Sequence, residues 1–423
     1  MDKFRIHGGH PLRGEVRISG AKNAALPCLA ATLLTQEPVV LENLPRVRDI
    51  VTMEKVLAAL GESCGHDNGA TRVVAGTGDA FHAPYELVRT MRASVLVLGP
   101  LLARRRRARV ALPGGCAIGA RPIDFHLHGL ARLGADIRVE HGDVVAEAAG
   151  GLRGAEILFP RITVTGTENL LMAASLAHGR TVLRNCAREP EVTDLAEMLL
   201  AMGARITGAG TDTLEIEGVE QLSGAHHRVI ADRIEAGTYV VAAVLAGDGV
   251  TVGGCRPEQI AALLAVLSEA GASVHVGRDE VVIPPQTQPL RPVSITTAEY
   301  PGFATDLQAQ YLALATQLTG ACTITEAIFE NRFQHVLELK RMGARIDVAG
   351  HVATVSGPTP LEGATVMASD LRASAALVVA ALIAQGETVI DRIYHLDRGY
   401  EAMEAKLNAL GASIERFNPG PYQ

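Results

Sequence analysis

Tryptophan is absent from this 423-residue chain, and aromatic residues make up only 4% of it. Proteins that stack the bases of single-stranded nucleic acid need such rings, so that class is disfavoured. An excess of positive charge is missing too: 39 Lys and Arg against 46 Asp and Glu give a net charge of −7. A nucleic-acid binder normally carries a basic face. The N-terminal MDKFRIHGG lacks the apolar run of an ordinary signal peptide. The longest apolar stretch, residues 374–384, falls far short of the ~20 residues a membrane span requires. A cytoplasmic protein without a membrane partner is expected. The six cysteines, at 28, 64, 116, 186, 255 and 322, form no CxxC pair or ligand cluster, so neither a disulfide framework nor a zinc site is indicated. His126 and His128 stand two apart, poor spacing for two ligands on one helix face. No P-loop, strand-following GxGxxG or GxSxG occurs. No metal and no cofactor are expected.

What is present is a repeat. A helix-like segment ending in glycine recurs as LAALGES, LARLGAD, LLAMGAR, LSEAGAS, LKRMGAR and LNALGAS, with glycines at 61, 134, 203, 271, 343 and 411. The intervals of 73, 69, 68, 72 and 68 residues divide the chain into six units of about 70. Each glycine stands where a helix C-cap belongs, and short alternating segments that read as strands follow it. Earlier in each unit lies a second helix rich in small apolar residues, such as LPCLAATLLTQEPVVL and SAALVVAALIAQGETVI. It is apolar nearly all round and is expected to be buried, with the amphipathic helix outside. Such units are too long for a stacked solenoid. Two domains of three units each follow, with a boundary near residues 226–232.

Six copies invite comparison of their helix starts. Arg48, Arg121, Arg188, Arg256, Arg332 and Arg398 lie ahead of the amphipathic helices, and Arg48, Arg121 and Arg398 each precede their glycine by 13 residues. Arginine at a helix N-terminus opposes the dipole. One reading pairs each with its neighbouring acid, Asp49, Asp124 or Asp397. The other aims helix N-termini and guanidinium groups together at an anion. The buried helices also begin with polar residues: Lys22 and Asn23, Arg92, Thr167 and Asn169, Asp306, and Asp370 with Arg372. Asp306 and Asp370 follow Thr and Ser, where a carboxylate serves as a cap. Lys22 cannot cap and reads as an anion ligand.

In LPGGCAIGARPIDFHLHG, Cys116 stands between Gly115 and Gly119 and five residues before Arg121. A glycine-rich loop beside a cation favours a reactive thiolate; four of the other cysteines read as core filler. The run at residues 104–107, RRRR, reads as a solvated turn. These residues point to a protein that binds a polyanionic small molecule between two domains, with a thiol in the lid.

ISGAKNAALP, TMRAS, LPGGCAIGARPIDFH, AREPEVTDLA, TDLQAQ, FENRFQHVLELKRMGA, SDLRASAALV and DRIYHLDRGYE together resemble the UDP-N-acetylglucosamine 1-carboxyvinyltransferase family of enolpyruvyl transferases. The resemblance runs from residue 1 to about 416. It implies an α/β (by some schemes α+β) protein: a two-domain inside-out α/β barrel of six βαβαββ-like repeats. Residues 22–230 would form the first domain, carrying the Cys116 lid loop. Residues 1–21 with 231–423 would form the second, with the active site in the cleft between them.

The implied reaction moves the enolpyruvyl group of phosphoenolpyruvate to the 3′-hydroxyl of UDP-N-acetylglucosamine and releases phosphate, the committing step of peptidoglycan synthesis. Lys22, Asn23, Arg121, Arg398 and Arg372 resemble residues that take phosphoenolpyruvate. Arg92, Arg121, Pro122, Ile123, Asp124, Phe125, Arg161, Ile162, Thr163, Val164, Asp306 and Ile328 resemble contacts to the nucleotide sugar. Cys116 resembles a lid cysteine that donates a proton, can form a phosphoenolpyruvate adduct and is alkylated by fosfomycin. Asp306 and Asp370 match acids at the reacting centre. Thr165, where many relatives have glycine, and Ala304, where proline is common, depart from the pattern beside the expected sugar contacts. The competing implications are a shikimate 3-phosphate enolpyruvyl transferase and a catalytically silent UDP-sugar-binding homologue.

Overall fold

The structure, a computed structural model, describes residues 2–89, 91–112, 123–418 and 420. Cys116, Arg121 and Pro122 lie outside the described residues.

Among the described residues six four-stranded sheets carry the fold, each with one parallel and two antiparallel pairings. One unit shows the pattern. Glu156–Leu158 runs parallel to Arg180–Arg184, across the buried Val164–Ala174 helix. The Pro190–Ala201 helix follows, and the Arg205–Thr207 and Thr213–Glu217 strands complete the sheet antiparallel. This is the βαβαββ order that the family resemblance implied for each unit of about 70 residues. The sheets stay separate and open among the described residues. Alternation sets their buried face: in Arg180–Arg184, Thr181 and Leu183 point inward while Arg180 and Arg184 are exposed.

The chain divides into two compact units, one of residues up to Ser19 with those from Ala231 onward, the other from Gly20 to Ile230. The first break thus falls two residues before the expected one at 21/22. Each unit has its own apolar core, and each recruits a distant strand to complete a sheet. His226–Arg228 returns to pair with Val39–Glu42. Lys3–His7 lies between Glu387–Asp391 and Ser413–Phe417, and Leu12–Arg17 pairs with Gly247–Gly253.

All six repeat glycines adopt the left-handed conformation, with φ between 90° and 102°. Space is not the reason, since a Cβ on Gly61, Gly134, Gly203 or Gly271 would meet nothing within 4 Å. The backbone turn that ends each helix requires it. The first helices are buried as their composition demands: Leu371–Ala381 is buried from Arg372 onward.

The residue 104–107 run is a solvated turn only at Arg106 and Arg107, both exposed between a helix and a strand. Arg104 donates to the carbonyls of Leu33 and Thr35, and Arg105 to those of Leu60 and Ala80. Arg105, only 5% exposed, also pairs with Glu62 at 2.7 Å. Buried carbonyls at element ends need donors, and these long side chains supply them from the neighbouring repeat. At the surface, Arg107 pairs with Asp79 and Arg106 donates to the Ala149 carbonyl.

A buried carboxyl sits near Ser19, the residue at which the first segment of its unit ends. Glu235 accepts from Ser19 N at 2.8 Å and from Lys406 Nζ at 2.6 Å. Lys406 also donates to Ser19 Oγ at 2.7 Å. Burial outweighs the ammonium and pushes the Glu235 pKa up to about 7 from 4.5. The folded state therefore holds this proton more tightly than the unfolded state. The resulting stability is complete below pH 4.5 and is lost as pH rises to about 7. In denaturant titrations, wild type should lose up to about 3 kcal/mol relative to Glu235→Gln across that window. A difference that stays flat with pH would show Glu235 already ionised in the fold.

Candidate active site

Each unit gathers polar side chains at the starts of its buried helices. In the unit that includes Ala231 onward, Asp306 is the centre. It lies in the short Thr305–Leu307 turn, and Ala304, not Asp306, holds the cap position. Its carboxylate does not cap the helix as expected. It turns instead to two guanidinium groups: Arg332 Nη2 donates to Oδ1 at 2.6 Å and Arg372 Nε to Oδ2 at 3.0 Å. Arg332 is 6% exposed and Arg372 4%, whereas Asp306 keeps 27%. The charges are thus nearly buried while the carboxylate retains an open side.

Two further groups hold this centre. Glu326, 1% exposed, accepts from Thr297 at 2.9 Å, Thr305 at 2.8 Å, Ile328 N at 2.9 Å and Phe329 N at 3.1 Å. Thr305 in turn accepts from Arg332 Nη1 at 2.7 Å, so Glu326 ties the Asp306 turn to the loop carrying Ile328 and Arg332. Behind Arg372, Tyr400, Thr238 and Gln310 form a buried hydrogen-bonded set, with the guanidinium 5.4 Å from the Tyr400 ring. Arg372 Nη1 is buried with no hydrogen-bond partner, an unused donor that an incoming anion would satisfy.

Asp370 does cap its helix, as its position implies, accepting from the backbone N–H groups of Arg372 and Ala373 at 2.9 and 3.0 Å. Burial, with Arg332 nearby, lowers the His335 pKa to about 4 although Asp370 opposes this. Arg398 ends the Ile393–Arg398 turn. Its neighbour Asp397 also receives a pairing from a distant strand, with Arg416 at 2.7 Å.

In the other unit, Lys22 and Asn23 open the Lys22–Ala31 helix. Lys22 Nζ lies 3.3 Å from Asp49, the acid considered as a partner for Arg48. Arg92 opens the Arg92–Val97 turn. Its positive charge and, above all, burial push the His126 pKa down to about 3. The neutral ring is held at both nitrogens. Asn169 Nδ2 lies 2.9 Å from Nδ1, and Nε2 lies 3.2 Å from the Thr165 hydroxyl. Asn169 donating fixes the proton on Nε2, so Thr165 accepts. Thr165 thus has a defined partner where glycine would have none.

Of the remaining expected contacts, Thr163 caps the Val164–Ala174 helix. Arg161 and Asp124 are exposed, Ile162, Val164 and Phe125 are half-buried, and Ile123 is 6% exposed within the core.

Sequence reasoning missed Arg332 and Glu326 as site residues. Arg332 precedes its glycine by 11 residues, out of phase with the 13-residue set. It also passed over Glu168, fully buried in its helix, whose carboxyl is pushed well above the ordinary value by burial and by Glu191 and Glu189. A charged residue within an otherwise apolar helix was the available signal.

This pairing of buried cations around a half-open carboxylate suits a reaction between anions that also moves a proton. A family model described as EPSP synthase (3-phosphoshikimate 1-carboxyvinyltransferase) matches residues 6–407, and the chain belongs to that family. Within it, the chain is 58% identical to a protein from Koribacter versatilis over 99% of its own length and 97% of the relative's. It is 59% identical to one from Solibacter usitatus over 98% and 100%. Both relatives are named UDP-N-acetylglucosamine 1-carboxyvinyltransferase.

Among solved structures, the enolpyruvyl transferase NikO from Streptomyces tendae is 31% identical and superposes with a TM-score of 0.89, covering 98% of this chain and 99% of that one. An EPSP synthase from Acinetobacter baumannii, 19% identical, reaches 0.76 over 99% and 100% and speaks for the fold alone. The fold is the inside-out α/β arrangement of the enolpyruvyl transferases, with helices inside and sheets outside.

Proposed function

We propose that this protein is a cytoplasmic transferase that moves the enolpyruvyl group of phosphoenolpyruvate to the 3′-hydroxyl of UDP-N-acetylglucosamine and releases phosphate. The product supplies peptidoglycan synthesis, and fosfomycin blocks the reaction at Cys116. The observation that carries this reading is near-full-length identity of 58–59% to relatives bearing that activity's name.

Lys22, Asn23, Arg121, Arg372 and Arg398 bind phosphoenolpyruvate. Arg92, residues 121–125, residues 161–164, Asp306 and Ile328 bind the nucleotide sugar. C2 of phosphoenolpyruvate becomes electrophilic as C3 gains a proton, which Cys116 supplies or relays. The sugar oxygen bonds to C2 while Asp306 receives the hydroxyl proton. Loss of a proton from C3 then breaks the C2–O bond to phosphate and leaves the enolpyruvyl ether. The cations neutralise both substrates and the departing phosphate, and Asp370 holds the helix start that carries Arg372.

The family model's description names the shikimate 3-phosphate reaction, so the assay compares acceptors. Phosphate release from phosphoenolpyruvate should require UDP-N-acetylglucosamine and stop after fosfomycin treatment. Release with shikimate 3-phosphate instead would reverse the assignment. Binding of the UDP-sugar without phosphate release would show a silent homologue.

A further inference from the structure

Away from the residues used above, three elements of the Gly20–Ile230 unit each send one side chain to a common buried point. Cys28 comes from the Lys22–Ala31 helix, Asp194 from the Pro190–Ala201 helix and His227 from the His226–Arg228 strand. Cys28 Sγ lies 3.7 Å from Asp194 Oδ2, and His227 Nε2 lies 3.1 Å from Asp194 Oδ1. The sulfur, the ring nitrogen and a carboxylate oxygen lie within 4.8 Å of one another. Cys28 is fully buried, Asp194 is 1% exposed and the His227 side chain 10%.

An ordinary hydrogen-bonded cluster accounts for only part of this. The Cys28 thiol donates to Asp194 Oδ2. Asp194 Oδ1 and His227 Nε2, both buried, have no hydrogen-bond partner although they are 3.1 Å apart. Their approach is too far out of line for a hydrogen bond. A buried imidazole and carboxylate at ion-pair distance without an aligned hydrogen bond call for an explanation.

A cation satisfies all three groups at once. Tetrahedral zinc with Zn–S near 2.3 Å and Zn–N or Zn–O near 2.0–2.2 Å places its ligand atoms roughly 3.3–3.6 Å apart; Sγ to Oδ2 at 3.7 Å and Nε2 to Oδ1 at 3.1 Å lie either side of that range, one carboxylate oxygen facing each of the other two ligands. Charge balances as well. A thiolate and a carboxylate neutralise a divalent ion, and the neutral imidazole adds none, so the core gains no net charge. Sulfur with imidazole nitrogen selects a zinc-class ion over magnesium or calcium.

We infer that Cys28, Asp194 and His227 form a structural binding site for one zinc-class divalent ion, clamping the Lys22–Ala31 helix to the Pro190–Ala201 helix and the His226–Arg228 strand. On binding, the Cys28 sulfur gives up its proton to solvent and bonds to the metal; no redox change is involved. The ion stabilises the fold and stands apart from the transfer reaction.

The test begins with chelator-treated full-length protein, titrated with zinc chloride by calorimetry and with cobalt(II) chloride by absorption. One equivalent should bind, cobalt should give a sulfur-to-metal charge-transfer band, and saturating zinc should raise the melting temperature by about 5 °C. Cys28→Ala and His227→Gln should each lose the band and the shift, whereas Cys116→Ser should keep both. His227 lies at the edge of the core, so His227→Gln reports even where Cys28→Ala folds poorly. Absence of binding in wild type, or an unchanged band and shift in both the Cys28 and His227 variants, overturns the site.

Discussion

Asp306→Asn is expected to lower kcat by about 10²–10⁴-fold, the usual scale for removing a general base. The amide keeps the shape but cannot take the proton that the proposed mechanism gives to Asp306. It also turns an NH₂ group towards one of two guanidinium groups that now converge on the carboxylate. With Arg332 and Arg372 nearly buried, that mismatch should cost about 1–3 kcal/mol of stability. The two effects are separable. Phosphate release below the melting transition measures the catalytic loss, and a thermal melt measures the structural one. A lowered melting temperature with normal kcat would reduce Asp306 to an anchor for the two arginines. Loss of rate with an unchanged KM for UDP-N-acetylglucosamine would place its contribution in the transition state.

The largest expected effect on stability comes from Gly99→Ala. Gly99 lies where the Leu98–Arg105 helix meets the Val164–Ala174 helix. A Cβ there would stand 2.3 Å from Asn169 Oδ1 and 2.4 Å from its carbonyl oxygen. Asn169 cannot retreat cheaply. Its Oδ1 accepts from Gly99 N at 2.7 Å, while Nδ2 donates to Val95 O and His126. Overpacking typically costs 1–3 kcal/mol, and unsatisfied buried polar groups add a similar amount. For a domain of this size the melting temperature should fall by on the order of 10 °C. A fall of under 2 °C would mean that the two helices slide apart without cost.

The period of the fold was legible because it is written in local chemistry. A glycine after an amphipathic helix reports a left-handed turn that other residues resist, and all six do so here. The buried helices were legible from their apolar composition. Asp370 was legible as a cap because capping needs only the next few residues.

The same reasoning failed at Asp306, whose sequence context looks alike. Its partners stand 26 and 66 residues away, and two full charges outcompete backbone N–H groups for the carboxylate. Arg332 was noticed at a helix start but not as part of the site, because its role depends on Glu326 and Thr305 across a loop. Arg104 and Arg105 looked like surface charge; only the neighbouring repeats show the carbonyls that bury them.

The scarcity of aromatics, the lack of basic excess and the absence of local cysteine pairs bounded the protein from the start. By itself the sequence determined the class of molecule, the 70-residue period and the helix ends, and its motifs named the residues proposed to meet the substrates. Those features depend on neighbours within one or two turns, or on motifs long enough to recognise. Tertiary structure alone decided the pairings of charges and the meeting of Cys28, Asp194 and His227, residues spread over 200 positions. Absence of a CxxC motif excludes only ligands close in sequence. Burial at a shared point depends on how helices and a returning strand pack, and desolvation sets the energy of such contacts more than spacing does.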